Sequence, residues 1–189
     1  MSDKPKFDAE EAVPVAMELI AAMEPFCERI EIAGSLRRMK DRVGDIELVF
    51  IPRVESRQAD FFSSEPLDLT AERIAELVGS GVLQKRPNVN GGFTWGRLNK
   101  LAIHTESDIP VDLFCEPNAA DWARSMVIRT GPKELNLRLI AGAATRGIDL
   151  HAYGPGFTRK SNGEVIPCGS EREAFELCGF EYLEPNERR

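Results

Sequence analysis

The stretch from Ile30 to Phe50 constrains the fold of this chain most, because two segments with strand periodicity flank a glycine-containing turn. It reads IEIAGSLRRMKDRVGDIELVF. Charged and apolar residues alternate before Gly34 and again after Gly44, and such alternation indicates half-buried β-strands. In the second segment Asp45 and Glu47 point to one face, and the apolar residues point to the other. We therefore predict a sheet that presents two carboxylates beside a turn.

A pair of carboxylates on one face of a strand is unfavourable without a cation. Asp45 and Glu47 repel one another and raise each other's pKa unless a positive charge lies between them. A third carboxylate, Asp112, stands in the apolar segment VDLF, where burying it alone is costly. Clustered oxygen ligands of this kind suit Mg²⁺. Taken alone, the Asp45–Glu47 pair fits an exposed sheet face better than a metal site.

The turn between the two strand segments has the composition of a phosphate-binding site. Backbone N–H groups at Gly34 and Ser35 can point towards phosphate oxygens, and the serine hydroxyl adds a donor. Arg37 and Arg38 offer bidentate phosphate contacts, and Gly44 allows close backbone approach. On its own, a glycine-serine turn indicates only a change of chain direction, and a pair of arginines indicates only a solvent-exposed surface. GSxRR followed by GDxE is a specific combination, and it favours phosphate and metal binding.

The N-terminal half also predicts two helices and a loop. A helix over Asp8–Met23 is expected to become regular near Pro14. Its apolar face is predicted to consist of Val13, Met17, Ile20 and Ala21. The polar run 55–65 predicts a loop, and Thr70 is the predicted cap of a helix over residues 71–78.

The second half predicts a strand pair followed by a helical lobe. Phe93–Ile103 and Ile109–Cys115 have strand character. Trp95 and Arg97 share a face of the first of these strands, and Trp95 either contacts nucleic acid or fills the core. Further helices are predicted over 118–125, 131–146 and 170–178, with a hairpin turn at Asn162-Gly163. The chain therefore divides near residues 116–130, with an α+β arrangement overall.

Composition excludes several classes of protein. The chain has 189 residues and a net charge of −7, whereas strong nonspecific nucleic-acid binders are usually basic. No segment approaches the ~20 apolar residues of a membrane span, and the acidic N-terminus is unlike a signal peptide. Four cysteines without CxxC spacing argue against a zinc site or a disulfide framework. We expect a monomeric, cytoplasmic protein of a reducing compartment, with no membrane partner.

The segment GSLRRMKDRVGDIE resembles the palm signature of the family X DNA polymerases, which are polymerase beta-like nucleotidyltransferases. These enzymes carry a GS-x-RR turn, then GD-x-D, and a third aspartate on a distant strand, which Asp112 matches. IRTGPKELNLRL resembles the family's thumb, with matches at Thr130, Gly131 and Asn136. The ending EREAFELCGFEYLEPNERR resembles the family's C-terminus. The likeness covers residues 15–189.

The resemblance implies a fold and a division into parts. A nucleotidyltransferase palm over residues 15–117 is expected to contain a mixed, mostly antiparallel sheet flanked by helices. A small helical thumb with a β-hairpin is expected over residues 118–189, after a flexible N-terminus over residues 1–14. The resemblance thus describes a minimal palm-plus-thumb form without the lyase and fingers domains of larger members.

The resemblance also implies an activity. Asp45, Glu47 and Asp112 are expected to be catalytic and to bind two Mg²⁺ ions, for which Mn²⁺ can substitute. The protein is expected to add dNMP from a dNTP to a DNA primer 3′-hydroxyl on a template, in gap filling or repair. The expected nucleotide-binding residues are Gly34, Ser35, Arg37, Arg38, Gly44, Thr130, Gly131, Lys133 and Asn136.

Three departures from the family pattern leave other functions open. Glu47 stands where the family has aspartate, Pro132 replaces serine, and Ile128-Arg129 replaces an aromatic pair beside the sugar. A template-independent nucleotidyltransferase acting on RNA, a protein or a small molecule is therefore the second hypothesis. A non-catalytic module that binds nucleotide or nucleic acid is the third.

Overall fold

The computed structural model describes residues 6–58 and 64–188. The first elements in chain order are β1 (Phe7–Asp8), α1 (Ala9–Met23), β2 (Cys27–Ile32), α2 (Gly34–Arg37), β3 (Arg42–Val43), β4 (Ile46–Pro52), β5 (Val54–Gln58), β6 (Ser64–Asp68) and α3 (Leu69–Gly79). These are followed by β7 (Leu83–Lys85), β8 (Asn99–His104), β9 (Pro110–Cys115), α4 (Trp122–Thr130), α5 (Lys133–Thr145), β10 (Ile148–Leu150), β11 (Phe157–Arg159), β12 (Val165–Ile166) and α6 (Glu171–Leu177).

A five-stranded sheet in the order β2-β4-β9-β8-β7 organises the first part of the chain. The β4–β9 pair is parallel, and the other neighbouring strands are antiparallel. Helices α1 and α3 cover one face, where alternate strand residues form the main core. Helix α4 covers part of the other face through Trp122 and Met126, which pack on Val49 and Phe114. The predicted α+β class with a mixed, mostly antiparallel sheet is confirmed.

The C-terminal part has a separate apolar core. Helices α4, α5 and α6 pack with a three-stranded antiparallel sheet, β10-β11-β12, around Leu139 and Phe175, which are fully buried. The predicted hairpin at Asn162-Gly163 is confirmed between β11 and β12. The Ser170 hydroxyl caps α6 by accepting a hydrogen bond from the backbone of Glu173 at 3.1 Å.

A buried ionic network joins the two parts. The Arg124 guanidinium on α4 donates to Glu116, which follows β9, at 2.8 Å, and also to the carbonyls of Ala152 and Gly154. Ser125 donates to the same carboxylate at 2.5 Å. Because Arg124 is only 2% exposed, its charge depends on these partners, and breaking such a pair leaves a costly buried charge.

The prediction for α1 was right in type and wrong in detail. The helix begins at Ala9, so Pro14 lies inside it and removes one backbone hydrogen bond. Of the expected apolar face, Ile20 packs against the main core, whereas Val13 is 43% exposed and Met17 is 53% exposed. The buried face consists instead of Ala12, Ala16, Leu19 and Met23. Small alanine side chains allow the helix to lie close to the sheet.

Three further predictions of local structure were wrong. In the polar run 55–65, residues 55–58 and 64–65 belong to the antiparallel pair β5 and β6 rather than to a loop, and residues 59–63 lie outside the described residues. The cap of α3 is Asp68, which accepts a hydrogen bond from the backbone of Ala71 at 2.8 Å. The strand expected over Phe93–Ile103 begins only at Asn99. The preceding loop therefore carries Trp95.

The predicted flexible N-terminus lies partly outside the described residues, which begin at Lys6. Within the described part, β1 pairs with β3 and α1 begins at Ala9. The four cysteines, Cys27, Cys115, Cys168 and Cys178, are free and buried. In the described part of the chain, no helix is both long enough and apolar enough to span a membrane.

Gly142 allows close packing in the C-terminal core. A Cβ atom at this position of α5 would overlap the carbonyl oxygen of Cys178 and the ring of Phe180. We predict that Gly142→Ala lowers the free energy of unfolding by about 1–3 kcal/mol, because the overlapping backbone must shift. Gly79→Ala is the matched control, since Gly79 also lies in a helix and has open space. Urea unfolding measures both, and equal stabilities of the two variants would contradict the prediction.

Candidate active site

The three predicted catalytic carboxylates approach one another at the start of β4. Glu47 lies opposite Asp112 in the parallel pairing of β4 with β9. The next residues, Leu48 and Leu113, turn into the main core on the opposite face. Asp45 lies directly before β4. The alternation that buries the leucines therefore also holds the carboxylates on the other face.

The environment of Glu47 disfavours its ionised form. Desolvation and the neighbouring charges of Asp45 and Asp112 raise the pKa of Glu47 to about 8. The guanidinium groups of Arg38 and Arg129 act in the opposite direction and offset part of this effect. A carboxylate crowded by like charges attracts a cation, which would return it to its ionised form.

The Gly34-Ser35 turn lies directly against Glu47. Gly34 has φ +62°, and a Cβ atom there would overlap the carboxylate of Glu47. Glycine is therefore required both by the backbone conformation and by the close approach. The Ser35 hydroxyl is buried and has no hydrogen-bond partner among the described residues. An unsatisfied buried hydroxyl is unusual and leaves a donor free for a ligand oxygen.

The two arginines of the turn have different partners. Arg38 donates from Nη1 to the carbonyl of Thr130, while its buried Nε has no partner within the described chain. Burial lowers the pKa of Arg38. Arg37 donates to Glu171 at 2.5 and 3.0 Å and to the Thr130 hydroxyl at 2.8 Å. Arg37 thus connects α2 to α6, and its guanidinium is engaged by protein groups.

The residues predicted for the thumb lie at the end of α4 and the start of α5, next to the contact of Arg38 with Thr130. Gly131 follows α4 with φ +63°, and the Gly131–Pro132 peptide is cis. The Asn136 amide donates to the carbonyl of Ile128 at 2.7 Å, and its Oδ1 is a buried acceptor without a partner in the described residues. Lys133 is exposed at the start of α5. Gly44, directly before Asp45, has open space beside its Cα.

Sequence reasoning missed Arg86. It follows β7, and its guanidinium forms an ion pair with Asp112 across β8. Both side chains are largely buried, and the Nε of Arg86 has no partner among the residues described. The adjacent basic pair Lys85-Arg86 at the end of a short strand was the available signal. Only the pairing of β7 with β8 brings it to Asp112.

Arg129 occupies a position where the sequence departs from the family pattern. Its guanidinium carbon lies 3.9 Å from the ring centroid of Phe114 and 4.8 Å from that of Tyr153. Both distances fit cation–π contacts. The charge therefore stays close to the carboxylates and contributes to the field at Glu47.

The carboxylates have the chemistry for a divalent cation but are not gathered into a complete ligand set. In residues 6–58 and 64–188, no group of three or more His, Cys, Asp and Glu side chains has a metal-binding arrangement. The Glu47–Asp112 register and the raised pKa of Glu47 nevertheless fit oxygen ligands that lack a counter-ion. A cation would have to compete with Arg86 for Asp112.

Two comparisons with known proteins relate this chain to DNA polymerases. Residues 125–189 match the model of the DNA polymerase beta thumb. The chain is also similar to DNA polymerase lambda of Rattus norvegicus, with 28% identity over 164 residues. That alignment covers 82% of this chain and 28% of the relative, so the chain spans less than a third of the relative's length.

The raised pKa of Glu47 predicts a pH-dependent stability. In the unfolded chain this carboxyl ionises near its ordinary value of 4.5, whereas in the folded protein it keeps its proton up to about 8. The unfolded state therefore binds fewer protons across this window. The free energy of unfolding is expected to fall as the pH rises from about 5 to 8.

Glu47→Gln should remove this contribution, because the amide does not ionise. We expect its free energy of unfolding to fall less steeply over the same window and to exceed that of the wild type at pH 8. Urea unfolding at several pH values measures the difference, and Glu55→Gln on the exposed β5 strand serves as control. Parallel pH profiles for wild type and Glu47→Gln would contradict the prediction.

Proposed function

We propose that this chain, a family X polymerase-like protein, adds dNMP from a dNTP to the 3′-hydroxyl of a DNA primer and releases pyrophosphate. The observation that carries the proposal is the register of Glu47 against Asp112 beside the Gly34-Ser35 turn. It combines a carboxylate cluster with unsatisfied donors for phosphate. Gap filling in DNA repair is the setting that the proposal favours.

The phosphate end of the nucleotide would bind at the turn. The unsatisfied Ser35 hydroxyl and the unsatisfied Nε of Arg38 are donors that suit phosphate oxygens. The open space at Gly44 allows the backbone to approach the same phosphates. Arg37 contributes by holding Thr130 and Glu171 in place, since its own donors are engaged.

Asp45, Glu47 and Asp112 would hold Mg²⁺, with Mn²⁺ as a substitute. When bound, the metal would neutralise phosphate charge and lower the pKa of the attacking hydroxyl. Asp112 already forms an ion pair with the guanidinium of Arg86. Arg86 therefore balances part of the site's negative charge before a nucleotide enters.

The sugar and base would lie at the end of α4. Ile128, Thr130 and Gly131 would flank the sugar, and Lys133 and Asn136 would lie beside the base. The unsatisfied Oδ1 of Asn136 supports this assignment, because it is a buried acceptor on that side of the site. The proposal also keeps the division into a palm over residues 15–117 and a thumb over residues 118–189.

A second candidate is nucleotidyl transfer without a template to RNA, a protein or a small molecule. The observation that favours it is Arg129, which contacts Phe114 and Tyr153 where the family pattern has an aromatic residue beside the sugar. Primer extension on templated and single-stranded substrates, with dNTPs and with NTPs, separates the two candidates. Extension directed by the template supports the first.

Removing a carboxylate should abolish activity without unfolding the protein. We predict that Asp45→Asn and Asp112→Asn each reduce Mg²⁺-dependent primer extension by more than about 100-fold. This loss is larger than that typical of residues that only orient a metal ligand. Asp41→Asn is the control, because Asp41 is an exposed acidic residue in the connection between α2 and β3, shortly before Asp45. Urea unfolding checks that the variants remain folded. Wild-type rates for Asp112→Asn would rule out its assigned role.

Ser35 offers a sharper test of the phosphate site. Its hydroxyl has no partner in the described protein, so Ser35→Ala should leave the free energy of unfolding unchanged or slightly higher. We predict that its affinity for dNTP falls about tenfold, because a hydrogen bond to a charged phosphate is lost. Calorimetric titration measures the affinity, with Ser56→Ala on β5 as control. Unchanged dNTP affinity would argue against phosphate binding at Ser35.

A further inference from the structure

The segment between Glu76 and Glu106 differs in charge from the rest of the chain. It contains Lys85, Arg86 and two further basic residues but no acidic residue, while the whole chain has a net charge of −7. The same segment contains two of the chain's aromatic side chains, Phe93 and Trp95. Basic and aromatic residues together are typical of surfaces that bind single-stranded nucleic acid.

This segment lines an open cavity at the edge of the five-stranded sheet. The cavity has a volume of about 590 Å³. It lies between the end of α3, the edge strand β7 and the loop that precedes β8. Its lining is largely apolar and includes Val78, Leu83, Gln84, Lys85, Phe93 and Trp95.

The two aromatic rings have different environments. Trp95 is half-buried and packs against the main core, which supports the core-filling interpretation of this residue. Its ring also lies 4.8 Å from the Lys85 ammonium nitrogen, a cation–π distance. Phe93 is 66% exposed, although it is apolar. The cavity therefore presents a fixed ring, a second accessible ring and a cation beside them.

The cavity is adjacent to the candidate active site across the edge of the sheet. Lys85 contacts the cavity, and the next residue, Arg86, contacts Asp112. Successive side chains on an extended segment point to opposite faces, so these two neighbours reach opposite sides of the sheet. An extended polymer that passes over β7 could contact both sides.

We propose that this cavity binds an unpaired segment of single-stranded nucleic acid, with a base against Phe93 and Trp95. Lys85 and the exposed Arg97 would contact the phosphates that flank this base, whereas Lys100 is held by the carbonyl of Gly96 at 2.9 Å. The absence of acidic residues from the segment favours a polyanion over a peptide. The inference rests on the proposed function, because it gives a place to nucleic acid that extends from the active site.

The first test is the fluorescence anisotropy of a fluorescein-labelled oligothymidine titrated with the protein. Phe93→Ala should weaken binding about tenfold, because one stacking surface is lost. Val89→Ala is the matched control, since Val89 is an apolar residue of the same loop that is 90% exposed and does not line the cavity. Because Phe93 is largely exposed, urea unfolding should show little loss of stability for either variant.

The second test is the salt dependence of the same binding. Lys85→Gln should reduce the slope of log affinity against log salt by about 0.7, the value for one contact to a single strand. Phe93→Ala should lower the affinity and leave the slope unchanged, since it removes no charge. Arg57→Gln on the β5–β6 hairpin is the control for a lost surface charge and should change neither quantity.

These outcomes separate the inference from the proposed function. If the wild type extends primers and Phe93→Ala binds oligothymidine as tightly as the wild type does, the cavity proposal is overturned and the proposed function stands. If no primer is extended but Phe93→Ala weakens binding and Lys85→Gln reduces the salt slope as described, the proposed function fails and the nucleic-acid surface stands. Absence of any affinity for oligothymidine would overturn the inference.

Discussion

The parallel pairing of β4 with β9 is the constraint on which the rest of the structure depends. It places Glu47 beside Asp112 on one face and, one residue later, Leu48 beside Leu113 on the other. A slip of β4 by one residue against β9 would turn over the side chains of β4, burying Glu47 in the main core and exposing Leu48. The fold and the candidate site therefore share one register. Burial of the apolar side chains fixes this register, and the positions of the carboxylates result from it.

The C-terminal part is held to this sheet by buried charges as well as by the apolar contacts of Trp122 and Met126 with Val49 and Phe114. Arg124 is bonded to Glu116 at one end of the interface, and Glu171 accepts from Arg37 and Arg188 at the other. Losing one partner of such a network costs about 3–5 kcal/mol, because a charge remains buried without compensation. These directional contacts also place the Thr130 carbonyl where Arg38 reaches it. The network thus fixes the geometry at the end of α4.

The sequence predicted what depends on local pattern and missed what depends on partners distant in the chain. Alternation identified β4 and β9, and the GSxRR and GDxE segments identified the turn beside them. The buried face of α1 was missed because alanines at that face are weak signals beside Val13 and Met17. The pairing of Arg86 with Asp112 was also missed, since only the sheet order brings the two together. The assignments of Asp45, Glu47 and Asp112 as metal ligands remain predictions.

The candidate site concentrates interactions that destabilise the protein alone and favour a ligand. Glu47 is a crowded carboxylate with a raised pKa, and the Ser35 hydroxyl and the Nε of Arg38 are buried donors without partners in the described chain. A buried polar group without a partner destabilises the folded state, because its hydrogen bonds to water are lost and not replaced. A divalent cation would supply positive charge to the crowded carboxylate, and a phosphate would supply acceptors to the unpaired donors. If this site holds a nucleotide as proposed, binding the two together would therefore be more favourable than binding either alone, since the phosphate would also reduce the repulsion between the cation and the arginines.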